Sequence, residues 1–132
     1  MARISSSIKK QPYKVDIESP TGNSIIADEP LEMGGGDLGF SPKELLASSL
    51  AACTSATVKI FADRKQWDLQ EVKIEVELDY IKEENRTLIH RSIDFIGDLD
   101  QKQRERLLVV ANACPIHKIL SNPIEINTQI GN

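Results

Sequence analysis

Apolar and polar residues alternate most regularly between residues 71 and 97. The stretch EVKIEVELDYI, residues 71–81, places an apolar side chain at every second position: Val72, Ile74, Val76, Leu78 and Tyr80. A period of two predicts a strand with one buried and one wet face. The polar turn KEENR follows, and TLIHRSIDFIG, residues 87–97, predicts the return strand of a hairpin.

Shorter segments elsewhere predict further strands and the loops between them. YKVDI, residues 13–17, and SIIA, residues 24–27, flank the turn cluster SPTGN, and IEINTQI, residues 124–130, predicts a last strand. The polar start MARISSSIKKQP, residues 1–12, is typical of a flexible N-terminal segment rather than a signal peptide. The Gly- and Pro-rich stretch DEPLEMGGGDLGFSP, residues 28–42, predicts a loop.

A long helix is predicted in SPKELLASSLAACTSATVKIFADRK, residues 41–65. Ser41 suits the N-cap, Pro42 the first helical position, and Glu44 completes a capping box. Small and apolar residues surround most of the circumference, so we expect a central helix buried on several sides.

A second helix is predicted after Asp100, with Gln103 as the partner in its capping box. Its expected buried face consists of Leu107, Leu108, Val110 and Ala111. Pro115 then ends or restarts the helix. Short strands, a helix, a hairpin and a further helix predict an α+β fold with antiparallel sheet, in one domain over residues 1–132.

Composition narrows the class of protein. The chain has 132 residues, 40% hydrophobic and 27% charged, as in ordinary globular proteins. Its net charge of -4 argues against a nucleic-acid partner. The longest uncharged run, residues 45–58, is 14 residues long, shorter than the ~20 that span a bilayer. We therefore expect a cytoplasmic protein that is not embedded in a membrane.

Two cysteines without a C-x-x-C motif exclude a disulfide framework and a thioredoxin-type motif. Cys53, in the middle of the long helix, is by itself most simply a small buried hydrophobic residue. Cys114 directly precedes Pro115, where its sulfur could cap PIHKIL beside free backbone N–H groups. Such a setting favours a thiolate, and His117 adds a potential cation; the alternative is that Cys114 ends the second helix in the core.

Three mechanisms could use these residues. In a two-thiol peroxidase, one thiolate is oxidised to a sulfenic acid and the second thiol resolves it as a disulfide. In a Cys–His hydrolase, His117 or His90 would act as the base. A Cys₂His₂ metal site is disfavoured because only Cys114 and His117 lie close together in sequence. Glu44 is either a capping residue alone or also a catalytic group.

The segments ADEP, GG, SPKELL, LAACTSATVKIFADRK and ANACPIHKIL, in this order, resemble the OsmC/Ohr family of osmotically inducible and organic hydroperoxide resistance proteins. The resemblance implies an OsmC-like intertwined homodimer, with antiparallel sheets wrapped around long central helices and active sites at the dimer interface. It implies that Cys53 is the peroxidatic cysteine and Cys114 the resolving one. The implied substrates are organic or lipid hydroperoxides, the implied reductant is a dithiol such as dihydrolipoamide, and no metal or flavin is required.

The chain departs from the Ohr pattern at two positions. Lys43 occupies the place of the catalytic glutamate, with Glu44 one residue later, and no arginine lies between Arg3 and Arg64. Lys14 or Lys43 would supply only a point charge. This places the chain nearer the OsmC-like branch. We predict a thiol-dependent peroxidase of the oxidative stress response; the alternative is a non-catalytic OsmC-fold protein that binds an apolar small molecule. The expected pocket residues are Leu45, Leu46, Leu50, Ala56 and Phe61.

Overall fold

The structure is a computed structural model that describes all residues from Met1 to Asn132. It has antiparallel sheets and one long helix, which confirms the predicted α+β class. The chain divides into two compact units, Met1–Leu46 and Ala47–Asn132. The assignment of residues 1–132 to a single domain stays a prediction.

The first unit contains a three-stranded antiparallel sheet in the order β1-β2-β3, formed by Ser5–Ile8, Val15–Glu18 and Ser24–Ala27. The predicted bounds of β3 are confirmed, whereas β2 begins two residues later than predicted. The prediction that residues 1–12 are a flexible segment is wrong for β1, because this strand pairs with β2. All four β1 side chains are exposed, so no hydrophobic alternation marks this strand; its backbone pairing defines it.

A buried carboxylate organises the loop that follows β3. Asp28 accepts hydrogen bonds from the backbone N–H groups of Glu29 at 2.7 Å, Gly36 at 3.2 Å and Leu38 at 3.1 Å. Burial raises the pKa of this carboxyl, but the backbone hydrogen bonds, led by that of Leu38, outweigh it and hold the pKa below its ordinary value. The predicted loop is therefore ordered around one side chain.

Asp28→Asn is expected to destabilise the protein at neutral pH, because an amide offers one acceptor oxygen where the loop needs two. Since the folded-state pKa of Asp28 is lowered, its contribution is present above the unfolded pKa of about 3.9 and is lost as pH falls through the folded pKa. Thermal unfolding of both proteins at pH 7 and in acid measures this. A difference in Tm that does not shrink in acid would contradict the ionised carboxylate.

Helix α1 runs over Pro42–Lys65 and begins with the predicted capping box. The Ser41 N–H donates to Glu44 Oε1 at 2.9 Å, and the Glu44 N–H donates to Ser41 Oγ at 3.2 Å. Burial on several sides is wrong for the single chain. Its buried residues form one stripe at four-residue spacing: Leu50, Thr54, Val58 and Ala62.

By length and composition alone, α1 could cross a bilayer, with a mean hydropathy of 1.5 in its most apolar window. The core helix of a globular protein meets the same criteria. Val58 and Ala62 on its buried stripe pack in the hydrophobic core of the second unit, and 22% of the apolar window is buried inside the chain.

The second unit contains the predicted hairpin. Strands β4, Asp68–Ile81, and β5, Arg86–Asp98, pair antiparallel with a bulge between Leu69 and Glu71. The inward face of the hairpin packs on α1 and α2. The buried members of this core are Val58 and Ala62 on α1, Leu69 on β4, and Leu107 and Ala111 on α2. This packing places the middle of β5 opposite the residues that follow α2.

Helices α2, Gln101–Ala111, and α3, Pro115–Leu120, complete the fold. The predicted capping box of Asp100 and Gln103 is confirmed. Leu107 and Ala111 are buried as predicted, whereas Leu108 is exposed. The last strand predicted over residues 124–130 is wrong, because alternation alone does not make a strand and this segment has no paired neighbour in the chain.

Candidate active site

Cys114 occupies the N-cap of helix α3, as its position before Pro115 predicts. Its backbone is extended, and its Sγ accepts the backbone N–H of His117 at 3.3 Å. The side chain is fully buried. Both interpretations of Cys114 from the sequence therefore agree with the structure. The side chain is buried in the core just after α2, and its sulfur accepts a hydrogen bond from a backbone N–H at the start of α3.

Helix α1 lies against this sulfur from the other side. Thr54 Oγ1 lies 3.6 Å from Cys114 Sγ and donates a hydrogen bond to the Leu50 carbonyl at 2.7 Å. Cys53, one residue earlier on α1, is half-buried and close enough to help lower the pKa of the Cys114 thiol. The fold thus brings together two thiols that are separated by 61 residues in sequence.

The environment of Cys114 favours its thiolate. Burial raises the pKa of the Cys114 thiol, but hydrogen bonds from the Thr54 hydroxyl, the His117 N–H and the Cys53 thiol, together with the charge of Arg91, outweigh it. The net effect holds the pKa of Cys114 below its ordinary value. This direction agrees with the thiolate-favouring N-cap that the sequence predicts.

Arg91, from the middle of β5, is the functional residue that sequence reasoning missed. Its Nη1 donates to Thr54 Oγ1 at 2.7 Å, and its Nη2 donates to Asn112 Oδ1 at 2.9 Å. Nη2 also lies 3.1 Å from His117 Nδ1. One guanidinium therefore joins α1, the end of α2 and α3 around the thiol pair.

A signal for Arg91 was present in the pattern of β5. Ile89, Ile93 and Phe95 occupy alternate positions of the strand and are all half-buried. Arg91 stands on the same face, where an apolar residue is expected, and is also half-buried. A charged residue on the inward face of an amphipathic strand is costly unless it has partners, so this break in the alternation marks a site.

The cation beside the thiols is Arg91, not His117. A guanidinium only donates hydrogen bonds, so His117 Nδ1 must accept in its contact with Arg91 and carries no proton there. His117 contacts Cys114 through its backbone N–H. The ring is therefore not placed as a base for this thiol, which weakens the hydrolase interpretation. No group of three or more His, Cys, Asp or Glu residues could hold a metal ion.

Glu44 is accounted for by the start of helix α1. The backbone and side-chain hydrogen bonds from Ser41 outweigh desolvation and lower the pKa of the Glu44 carboxyl. This is the environment of a capping residue, ionised at neutral pH. A catalytic role for Glu44 stays a prediction. Lys14 is one of the two lysines considered as substitutes for the missing arginine. Its Nζ lies 3.8 Å from Asp16 Oδ1 in the first unit.

A cleft of about 500 Å³ lies beside the two thiols. Arg91, Asn112 and His117, which belong to the hydrogen-bond network around Cys114, also line this cleft. Its apolar walls consist of Leu50, Ile89, Ile93, Leu108 and Leu120. Of the five residues predicted to line a pocket, only Leu50 lines this one. Phe61 instead packs against the core, with its ring edge-to-face with Trp67 at 5.6 Å. Neither cysteine lines the cleft.

Solved structures with the same fold come from several bacteria. A protein of Psychrobacter arcticus 273-4, described as an osmotic stress induced and detoxification response protein, is 27% identical, with a TM-score of 0.79 over 90% of this chain and 88% of that one. An organic hydroperoxide resistance protein OsmC of Legionella pneumophila is 21% identical, with a TM-score of 0.69 over 92% and 89%. OhrB of Bacillus subtilis, an organic hydroperoxide resistance protein, is 20% identical, with a TM-score of 0.63 over 92% and 90%.

The last two likenesses, below 25% identity, establish the fold alone. None of the curated proteins compared with this chain matches it. A sequence model of the family described as OsmC-like protein matches residues 34–129, which include α1 with Cys53 and the N-cap Cys114. The chain therefore belongs to the OsmC-like protein family.

Proposed function

We propose that the protein is a thiol-dependent peroxidase that reduces organic hydroperoxides. The observation that carries the proposal is that the fold brings a half-buried thiol, Cys53, close to a buried thiol with a lowered pKa, Cys114. The names of the Legionella and Bacillus proteins of the same fold support this choice of substrate class. Cys53 and Cys114 would be the catalytic residues.

The difference in exposure between the two thiols supports these roles. Cys114 is fully buried, so a hydroperoxide can reach only Cys53. In the proposed reaction, the Cys114 thiolate first takes up the proton of the Cys53 thiol. With the proton on Cys114, the Cys53 thiolate attacks the terminal oxygen of ROOH and the O–O bond breaks. The alkoxide takes up a proton and leaves as ROH, and Cys53 becomes a sulfenic acid.

Resolution uses the second thiol. The Cys114 thiolate attacks the Cys53 sulfur, the S–O bond breaks, and hydroxide leaves as water after taking up a proton. The balance is two thiols and ROOH to one disulfide, ROH and water. An external dithiol, of which a lipoyl group is one example, then reduces the disulfide by thiol–disulfide exchange.

The proposal includes a cytoplasmic homodimer. A reducing compartment suits a disulfide that must be reopened in each cycle. Large apolar side chains are exposed in the single chain, including Ile25 and Phe40 in the first unit and Ile60 and Val109 in the second. Burial of such residues against a second copy would remove this apolar surface from water.

The proposed reaction is tested by treating the reduced protein with one equivalent of cumene hydroperoxide and mapping its peptides. We expect a Cys53–Cys114 disulfide within seconds. In Cys114→Ser, where no second thiol is present, we expect the Cys53 sulfenic acid to persist and to be trapped by dimedone. Two free thiols after minutes would refute the enzyme assignment.

A second candidate function is non-catalytic binding of an apolar small molecule. The apolar walls of the cleft, and the fact that neither cysteine lines it, favour this function. The same experiment separates the two candidates, because an apolar molecule that binds in the cleft needs no change in either thiol. Unreacted thiols, together with saturable binding of a fluorescent apolar probe to the reduced protein, would support the binding function.

A further inference from the structure

The guanidinium of Arg91 is half-buried and has no carboxylate partner. The three ion pairs of the chain join Lys14 to Asp16, Lys59 to Asp63 and Arg86 to Glu84. The partners of Arg91 are instead a hydroxyl, an amide oxygen and an imidazole nitrogen, all neutral acceptors. A half-buried cation without a counter-ion stabilises any anion that forms beside it.

Thr54 is the link between this cation and the Cys114 sulfur. Its hydroxyl has one hydrogen, which points to the Leu50 carbonyl when Cys114 is a thiol. In that state the Cys114 S–H donates to Thr54 Oγ1, 3.6 Å away. When Cys114 loses its proton, the Thr54 hydrogen can turn to the sulfur. Because Arg91 donates to the same oxygen at 2.7 Å, it makes Thr54 a weaker acceptor and a stronger donor, and both effects favour the thiolate.

We propose that Arg91 is a positioning residue that acts through Thr54 to hold Cys114 as a thiolate, ready to resolve an oxidised Cys53. The groups that face the Cys114 sulfur come from three elements: Cys53 and Thr54 on α1, Arg91 on β5 and the backbone of His117 on α3. Arg91 is the only one of them with a permanent charge, since an arginine stays protonated in proteins. The inference rests on the proposed function for its role in turnover, but not for its effect on Cys114.

The test measures the pH dependence of the ultraviolet absorbance of the Cys114 thiolate in Cys53→Ser, where Cys114 is the single thiol, because this readout needs no reagent to reach the buried sulfur. We expect Arg91→Gln to raise the midpoint of this titration by about one pH unit. Arg91→Lys keeps the charge but lacks the planar guanidinium that contacts three partners. Its midpoint is therefore expected to fall between those of the protein with Arg91 and of Arg91→Gln. An unchanged midpoint in folded Arg91→Gln would overturn the proposal.

A double-mutant cycle tests whether Arg91 acts on Cys114 through Thr54 or only through its charge. With Arg91 intact, Thr54→Val removes the hydroxyl and is expected to raise the midpoint by itself. In the Thr54→Val background, Arg91→Gln is then expected to add less than it does alone, because the two residues act in series. Full additivity would overturn the role of Thr54. If Arg91→Gln does not fold, Arg91→Lys and Thr54→Val carry the test, and an unchanged midpoint in both would overturn the proposal.

Arg86→Gln is the matched control. It removes the same charge from the same strand, at an exposed position where Arg86 pairs with Glu84 at 3.1 Å. We expect it to leave the Cys114 midpoint unchanged; a shift equal to that of Arg91→Gln would overturn a local effect. The readout requires no hydroperoxide. A protein that shows the Arg91 shift but forms no disulfide with cumene hydroperoxide would refute the proposed function and keep this inference.

Discussion

Replacing Cys53 with serine is expected to abolish hydroperoxide reduction and to leave the fold intact. A serine hydroxyl is not ionised at neutral pH and does not form the sulfenic acid through which the proposed reaction proceeds. We expect the rate of cumene hydroperoxide consumption with a dithiol reductant to fall by roughly three orders of magnitude or more. Cys53 is half-buried, its Sγ lies 4.0 Å from the Thr57 hydroxyl oxygen, and serine is the smaller isostere, so we expect serine to fit the site.

Cys114→Ser is the comparison that gives the result its meaning. It keeps the attacking thiol, so it should consume one equivalent of hydroperoxide per chain and then stop or slow sharply, whereas Cys53→Ser should consume none. Equal circular dichroism and thermal unfolding of the three proteins would show that the fold is retained. If Cys53→Ser reduced hydroperoxide at the wild-type rate, Cys53 would not be the nucleophile.

Replacing Leu107 with alanine is expected to cause the largest loss of stability. Leu107 is fully buried and belongs to the core cluster with Val58, Ala62 and Leu69. Truncation of a buried leucine costs about 2–5 kcal/mol, through lost transfer free energy and the cavity that is left. Proteins of this size are stable by about 5–15 kcal/mol, so the variant should unfold at a much lower urea concentration.

Leu108→Ala is the matched control for this prediction. The same change one residue along α2 removes a side chain that is 50% exposed. We expect a cost below about 1 kcal/mol, because most of that side chain already contacts water. If the two variants lost equal stability in urea unfolding, α2 would not pack with the face that the structure assigns to it.

Sequence reasoning succeeded where a structure depends on neighbours along the chain. The capping boxes of Ser41 with Glu44 and of Asp100 with Gln103 join residues three positions apart, so their signature is complete in the sequence. The cap of Cys114 on the His117 N–H has the same spacing. The hairpin was predictable because both of its strands keep a period of two over most of their length.

Strands without such a signal were misjudged at both ends of the chain. Strand β1 has no buried side chain and is defined by its pairing with β2, which sequence alone does not record. Residues 124–130 have the alternation of a strand and no partner. Pairing decides such segments, since a strand is stable only when its backbone groups are bonded to a neighbour.

The candidate site likewise has features that depend on neighbours in sequence and features that depend on tertiary packing. The sequence by itself determined the family resemblance, the two cysteines and the thiolate-favouring N-cap of Cys114, because these depend on residue type and on contacts within one turn of helix. Only the tertiary structure decided that Thr54 lies beside Cys114 and that Arg91 supplies the cation, across separations of 60 and 37 residues. The physical reason is that a hydrogen bond acts over about 3 Å, so it depends on how helix and strand pack rather than on the order of residues in the chain.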